Sequence, residues 1–220
     1  MYLKRFQKIT GIVLGTKDIG DFDKIVVILS PEIGKSNLAL YGANRFKSRF
    51  SNIVNMCNVI RGLVRYSPNP EKIPSLQEAE MVKNFFDHLK IKTSKLYYSI
   101  LISEVSNLVI PYEVFDEDLY NLLVMSLNAL VNSDSDEEDF IVVSKFLISL
   151  LKIQGVLPYI KNENIGDRTK VFIISILKGN DNIKTDRNIK YEFLKWFLGK
   201  LSVITGGKEV ISIHLVKEII

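Results

Sequence analysis

The 220 residues carry 47% hydrophobic and 25% charged side chains, an ordinary globular balance with length enough for a hydrophobic core in one or two domains. A single cysteine, Cys57, excludes an internal disulfide and every multi-cysteine metal site, and fits a reducing compartment. The net charge of +4 is unevenly spread: residues 1–66 hold eleven Lys/Arg against four Asp/Glu, residues 67–220 eighteen against twenty-one, the asymmetry expected of a basic binding module joined to a neutral scaffold.

The basic start, Met1 to Lys8, is not followed by an uninterrupted apolar run of secretory type, because Lys17 and Asp18 close the run at Gly11–Gly15. Ile9–Gly15, Phe22–Ser30, Lys35–Tyr41 and Ile53–Tyr66 are rich in Val, Ile, Leu and aromatics, and turn-forming stretches at Asp18–Asp23, Pro31–Gly34 and Gly42–Asn52 separate them. Short strands at this spacing predict a small closed barrel of OB type in domain 1–70, since closure removes exposed sheet edges. Ser67–Pro74 holds three prolines and reads as a stiff connector at a domain boundary. Ser75-Leu76-Gln77-Glu78 then forms a capping box, so a helix is expected to open an all-α domain over 75–220. Leu76, Ala79, Val82, Phe85, Phe86 and Leu89 continue it at helical spacing, and Leu96–Val109 carries a second stripe. Asp116 is placed to cap a third helix, Ser133–Asp139 reads as an acidic solvated loop, and Phe140–Ile153 as an apolar fourth helix. Phe140–Leu151 contains Lys145 and is too short to span a bilayer, so a cytoplasmic protein is expected. Lys170–Leu177, Tyr191–Ile204 and Val210–Ile219 complete the helical set.

Enzymatic chemistry finds no support. Gly34-Lys35-Ser36 lacks the glycine that a phosphate loop needs five positions before Gly34, where Leu29 stands, and it enters a strand. His88 and His214 are far apart without patterned ligands, and Asp18, Asp21 and Asp23 do not complete a calcium loop. The informative segment is Tyr41-Gly42-Ala43-Asn44-Arg45-Phe46-Lys47-Ser48-Arg49-Phe50, with three cations and three aromatics in ten residues. Cations neutralise phosphates and release counterions, and aromatic faces stack on unpaired bases. Arg45, Lys47, Arg49 and Phe46 are therefore candidate nucleic-acid contacts. Arg61 and Arg65 share parity on the following strand, and Lys17, Lys24 and Lys35 extend the basic surface. The competing reading has Phe46 and Phe50 plugging the barrel while the cations only solvate a loop.

These residues carry a family resemblance. Ile19-Gly20-Asp21-Phe22-Asp23-Lys24-Ile25-Val26, Ser30-Pro31-Glu32-Ile33-Gly34-Lys35 and the Tyr41–Phe50 segment resemble, in order and spacing, the "YGE-D-IV", "T-E-G" and "GARR-KSR" runs of the bacterial RecO recombination mediators. Phe146–Pro158 resembles the family's helix ending in Gly-x-x-Pro. The resemblance implies an N-terminal OB fold and a helical C-terminal domain. It also implies binding of single- and double-stranded DNA, strand annealing, partnership with RecR and with the tail of single-stranded-DNA-binding protein, and help in loading RecA, with no catalytic step and no cofactor. Arg45, Lys47 and Arg49 become the phosphate contacts it implies. Two features depart from the family: Asn44 stands where a second arginine is usual beside Arg45, and Tyr159–Arg168 has none of the four zinc-binding cysteines of many members, so the zinc module is absent. The alternative function is an adaptor whose barrel grips an acidic peptide.

Overall fold

In the computed structural model, which describes residues 5–46, 48, 50, 52–180 and 183–220, the chain opens with a long strand, β1 (Phe6–Ile19). β2 (Asp23–Ser30) and β3 (Gly34–Leu40) follow as hairpins, then β4 (Val59–Arg65) and β5 (Ser75–Lys83). They close in the order β1-β2-β3-β5-β4, all pairs antiparallel except β3 with β5. The register makes the closure explicit. Lys17 pairs with Ile25, Ile25 with Ala39, Ala39 with Ser75, Ser75 with Arg65, and Arg65 with Phe6, returning to β1 near its other end. Such an offset is the stagger that tilted strands need to form a closed barrel. β1 serves two neighbours because it bends at a bulge between Val13 and Gly15.

Alternation sorts the side chains. Ile9 and Val13, Val26 and Ile28, Leu38 and Leu40, and Ile60 and Val64 point inward and are buried together with Leu76. The β3–β4 connection also feeds this core, through Ala43, Phe50 and Val54.

The helix expected from Ser75 is a strand. Gln77 is an extra residue in β5, since Glu78 pairs with Leu63 while Leu76 pairs with Val64. The bulge sets Leu76 and Ala79 three residues apart yet both against the core, a spacing that imitates a helix. The Ser75 hydroxyl accepts a bond from the Gln77 side-chain amide (2.8 Å). The proline-rich stretch therefore joins two strands of one barrel.

The chain up to His88, with Ile110–Tyr120, forms one compact unit; Leu89–Val109 with Asn121–Ile220 forms the second. The returning segment is a strap on the barrel. Lys35 N–H donates to the Val114 carbonyl (3.0 Å) and Glu113 N–H to the Lys35 carbonyl (2.8 Å). Gly34, at φ 65, makes this approach, because a Cβ there would lie 2.6 Å from the Glu113 carbonyl carbon.

A short α1 (Phe86–Leu89) is followed by α2 (Thr93–Val109), α3 (Glu117–Asn132), α4 (Asp136–Ile153), α5 (Asp167–Leu177), α6 (Arg187–Thr205) and α7 (Ile213–Lys217). Asp116 caps α3 through the Leu119 amide (2.9 Å). The expected acidic loop is instead the first turn of α4: Ser135 caps it by accepting from Glu138 N–H, and carboxylates at a helix N-terminus complement its dipole. Asp139 is fully buried there, accepting from Lys92 (2.9 Å), Ser94 (2.7 Å) and Ser133. Phe140, Phe172 and Phe193 gather α4, α5 and α6 around ring contacts of 5.4–5.8 Å. No helix among the described residues is long and apolar enough to cross a membrane.

Candidate nucleic-acid interface

One end of the barrel collects the β1–β2 hairpin tip, the turn after β3 and the β4–β5 loop, because β2 and β5 start where β3 and β4 end. Hydrogen bonds lock the first two together. The Gly42 N–H donates to the Asp23 carboxylate (2.7 Å), the Asn44 N–H to the Phe22 carbonyl (2.9 Å), and the Asn44 side-chain amide to Asp18 (2.9 Å). Asn44 and then Lys24 hold the Asp18 carboxyl below its ordinary range. Two of the three hairpin carboxylates thus organise the loops, and Arg45 stays exposed beside them.

On this frame the Arg45 guanidinium lies over the Phe22 ring, 5.4 Å from its centroid. A planar cation on an aromatic face keeps its N–H donors on the rim for phosphate oxygens. Phe46 is 93% exposed and Tyr41 66%, so the turn presents aromatic surface to solvent. Phe50 is buried in the core. The competing readings therefore divide: Phe50 plugs the barrel and Phe46 does not.

The other expected contacts do not all gather at the barrel end. Lys17 is exposed on β1, and Lys24, half-buried, pairs with Asp18 at 3.3 Å. Arg61 and Arg65 do share the outer face, but Arg61 is bonded to Glu80 at 2.7 Å and stands apart from the barrel end. Arg65 lines a groove of about 320 Å³ with Tyr41, Tyr66 and Lys72. Lys35 does not join the basic surface: it is buried, its ammonium 4.2 Å from the Tyr112 ring centre, because the strap covers β3. Lys47 and Arg49 lie outside the described residues. Sequence reasoning passed over Phe22 and Lys72 as site residues. An aromatic between two aspartates at a hairpin tip was the available signal for Phe22; Lys72 was hidden in a stretch read as a spacer.

Among the described residues no group of three or more His, Cys, Asp or Glu could hold a metal ion. The connection over residues 159–168, where the resemblance implies zinc cysteines in many members, is tied down by α6. Glu163 accepts from the Trp196 indole (2.9 Å) and Lys200 (2.7 Å), and Glu192 from the Gly166 N–H (2.8 Å) and the Thr169 hydroxyl.

Family models agree with this architecture. The model of the recombination protein O N-terminal region matches residues 4–85, the barrel, and that of its C-terminal region matches residues 92–189. The chain belongs to the RecO family. Similar RecO proteins, each named DNA repair protein RecO, include that of Mycoplasma mycoides, 29% identical over 145 residues, covering 66% of this chain and 57% of the relative. The Symbiobacterium thermophilum protein is 27% identical over 150 residues, 68% of this chain and 57% of its own length. That of Caldanaerobacter subterraneus is 26% identical over 217 residues, 95% and 85%. The aligned part of this RecO chain thus spans little more than half of the first two relatives.

Proposed function

We propose that this RecO-family chain is a non-catalytic DNA-binding mediator of recombination and repair, whose barrel end holds a single strand by its phosphates and stacks its bases. The observation that carries the reading is the Arg45–Phe22 pair beside exposed Phe46 and Tyr41, held by bonds between two loops. Phosphate contacts carry no sequence information, so binding is unspecific, and stacking on one face leaves most base edges open for pairing. That is the physical basis for annealing complementary strands. Docking to RecR and to the tail of single-stranded-DNA-binding protein, and through them help for RecA in the cytoplasm, would bring the activity to coated strands.

The test is fluorescence anisotropy of a labelled single-stranded oligonucleotide across a salt series. Lys17, Arg45, Arg65 and Lys72 are four cations at the barrel end; at roughly 0.7 per phosphate the slope of log affinity against log salt is about −3. Arg45→Ala with Arg49→Ala weakens binding of a folded protein. Absence of binding at low salt, with capture of an acidic peptide by the groove of Arg65 and Lys72, refutes the DNA reading in favour of an adaptor.

A further inference from the structure

The register leaves an opening in the barrel wall beside β3. β3 pairs with β2 along its length, but on its other side it meets the strap at Lys35 and β5 at Ala39. Lys35 turns its N–H and C=O away from β2, to Val114 and Glu113, and Ala39 turns its N–H to the Pro74 carbonyl. Main-chain groups of alternate strand residues point the same way, so Asn37, midway between, directs its N–H and C=O into the opening. There, among the described residues, neither the strap nor β5 pairs with it. The Asn37 Oδ1 is enclosed and has no hydrogen-bond partner among the described residues.

The opening is a cleft of about 470 Å³ with Tyr66, Tyr112, Ile73 and Pro74 among its walls. Tyr66 is fixed at both ends, its N–H donating to the Arg5 carbonyl (3.0 Å) and its hydroxyl to Gln7 (3.3 Å). Burial raises its pKa, so the hydroxyl stays a donor. Tyr66 and Ile73 also line the groove of Arg65 and Lys72, so cleft and groove are neighbours that share these two walls. The volume falls in the range of small-ligand pockets, roughly 300–1,000 Å³.

Resting on the reading of the barrel end as a single-strand site, we infer that this cleft is a nucleobase pocket: it takes one unpaired base from a strand whose phosphates lie along Arg65 and Lys72. Every base carries an acceptor beside a donor on its pairing edge: N1 and the amine of adenine, N3 and the amine of cytosine, O6 and N1–H of guanine, O4 and N3–H of thymine. The adjacent N–H and C=O of one strand residue form the complementary pair, so Asn37 holds any of the four. The pocket reads that a base is present and unpaired, and ignores which base it is. A duplex, whose pairing edges are occupied, does not enter.

The test irradiates the whole protein bound to a single strand carrying 5-iodouracil and maps the crosslinked peptides by mass spectrometry. Crosslinks at Tyr66 or Tyr112 are expected. Tyr112 is 52% exposed, so Tyr112→Ala removes a wall without emptying the core. That variant loses the crosslink and binds a base-bearing strand roughly tenfold more weakly, while an abasic strand of equal length binds both proteins alike. Crosslinks confined to Phe22, Tyr41 and Phe46 with salt-dependent affinity intact overturn the pocket and leave the barrel-end site standing. No retention of any strand at low salt overturns both.

Discussion

Gly34→Ala measures what holds the strap to the barrel. A Cβ at residue 34 meets main-chain atoms, the Glu113 carbon at 2.6 Å and the Val114 nitrogen at 2.7 Å, so neither side yields by a rotamer change. The left-handed φ of 65 costs an alanine about 1–2 kcal/mol. Displacing the strap breaks the bonds Lys35–Val114 and Glu113–Lys35, about 1 kcal/mol each. Glu113 itself sits at φ 64, and its release returns about 1 kcal/mol. The net is about 2–3 kcal/mol, local to the barrel unit. Amide hydrogen exchange reads it directly: the Lys35 and Glu113 amides exchange on the order of a hundredfold faster in the variant, while amides of α4 are unchanged. Gly15→Ala is the control, with nothing within 4 Å of the added carbon and an ordinary φ; it shifts stability by less than about 0.5 kcal/mol. Unchanged protection at Lys35 and Glu113 in Gly34→Ala would refute the steric argument.

Four further outcomes follow from the same geometry. Arg45→Ala lowers the salt slope of single-strand binding by about 0.7, whereas Arg61→Ala, whose guanidinium is engaged by Glu80, changes affinity less than about twofold; equal losses in parallel titrations would contradict the assignment. Phe50→Ala costs about 3–5 kcal/mol of stability in urea unfolding, while Phe46→Ala leaves stability within about 0.5 kcal/mol and weakens single-strand binding by about 1–3 kcal/mol. Asp139→Ala destabilises the helical unit by about 3 kcal/mol, near the low end for a broken buried pair because Lys92 keeps Asp136 at 2.9 Å; a melting temperature within a degree of the parent's would contradict it. Asp136, Glu163 and Glu192 have carboxyls held below their ordinary values, chiefly by Lys92, Lys200 and Thr169 respectively. Folded pKa values below the unfolded ones, 3.8 for Asp and 4.5 for Glu, mean stabilisation present in full above about pH 5 and lost as pH falls through the folded values. Thermal melts followed by near-ultraviolet dichroism should show that loss, and a helical unit equally stable at pH 3 and pH 6 would exclude it.

The barrel was legible because its first three strands alternate or run apolar between strong turn signals, and because Arg61 and Arg65 keep strand parity. β5 was not, because a bulge is a tertiary event: the extra residue at Gln77 matters only once β4 lies alongside, and until then Ser75–Glu78 satisfies the local rules of a helix start. The first turn of α4 was misread for a related reason. Four acidic residues in a row look solvated, and the burial of Asp139 depends on Lys92, just before α2, and Ser94, in its first turn. At the barrel end, sequence could nominate Arg45 and Phe46 but could not separate Phe46 from Phe50, because their opposite fates are decided by which one the core can admit. Lys35 resembled any surface lysine until the strap, some eighty residues later, covered it.

The connection between β3 and β4 buries Ala43, Phe50 and Val54 in the barrel while displaying Arg45 and Phe46 between them. For a lineage under mutation, the two demands on this loop fall on different letters. Exposed positions can drift, gain or lose a cation, and be tried against new strands without endangering the molecule that carries them. The apolar positions answer to foldedness alone. Asn44 fits that division: an exposed amide fastens the loop to Asp18 and adds rigidity at no cost to the core.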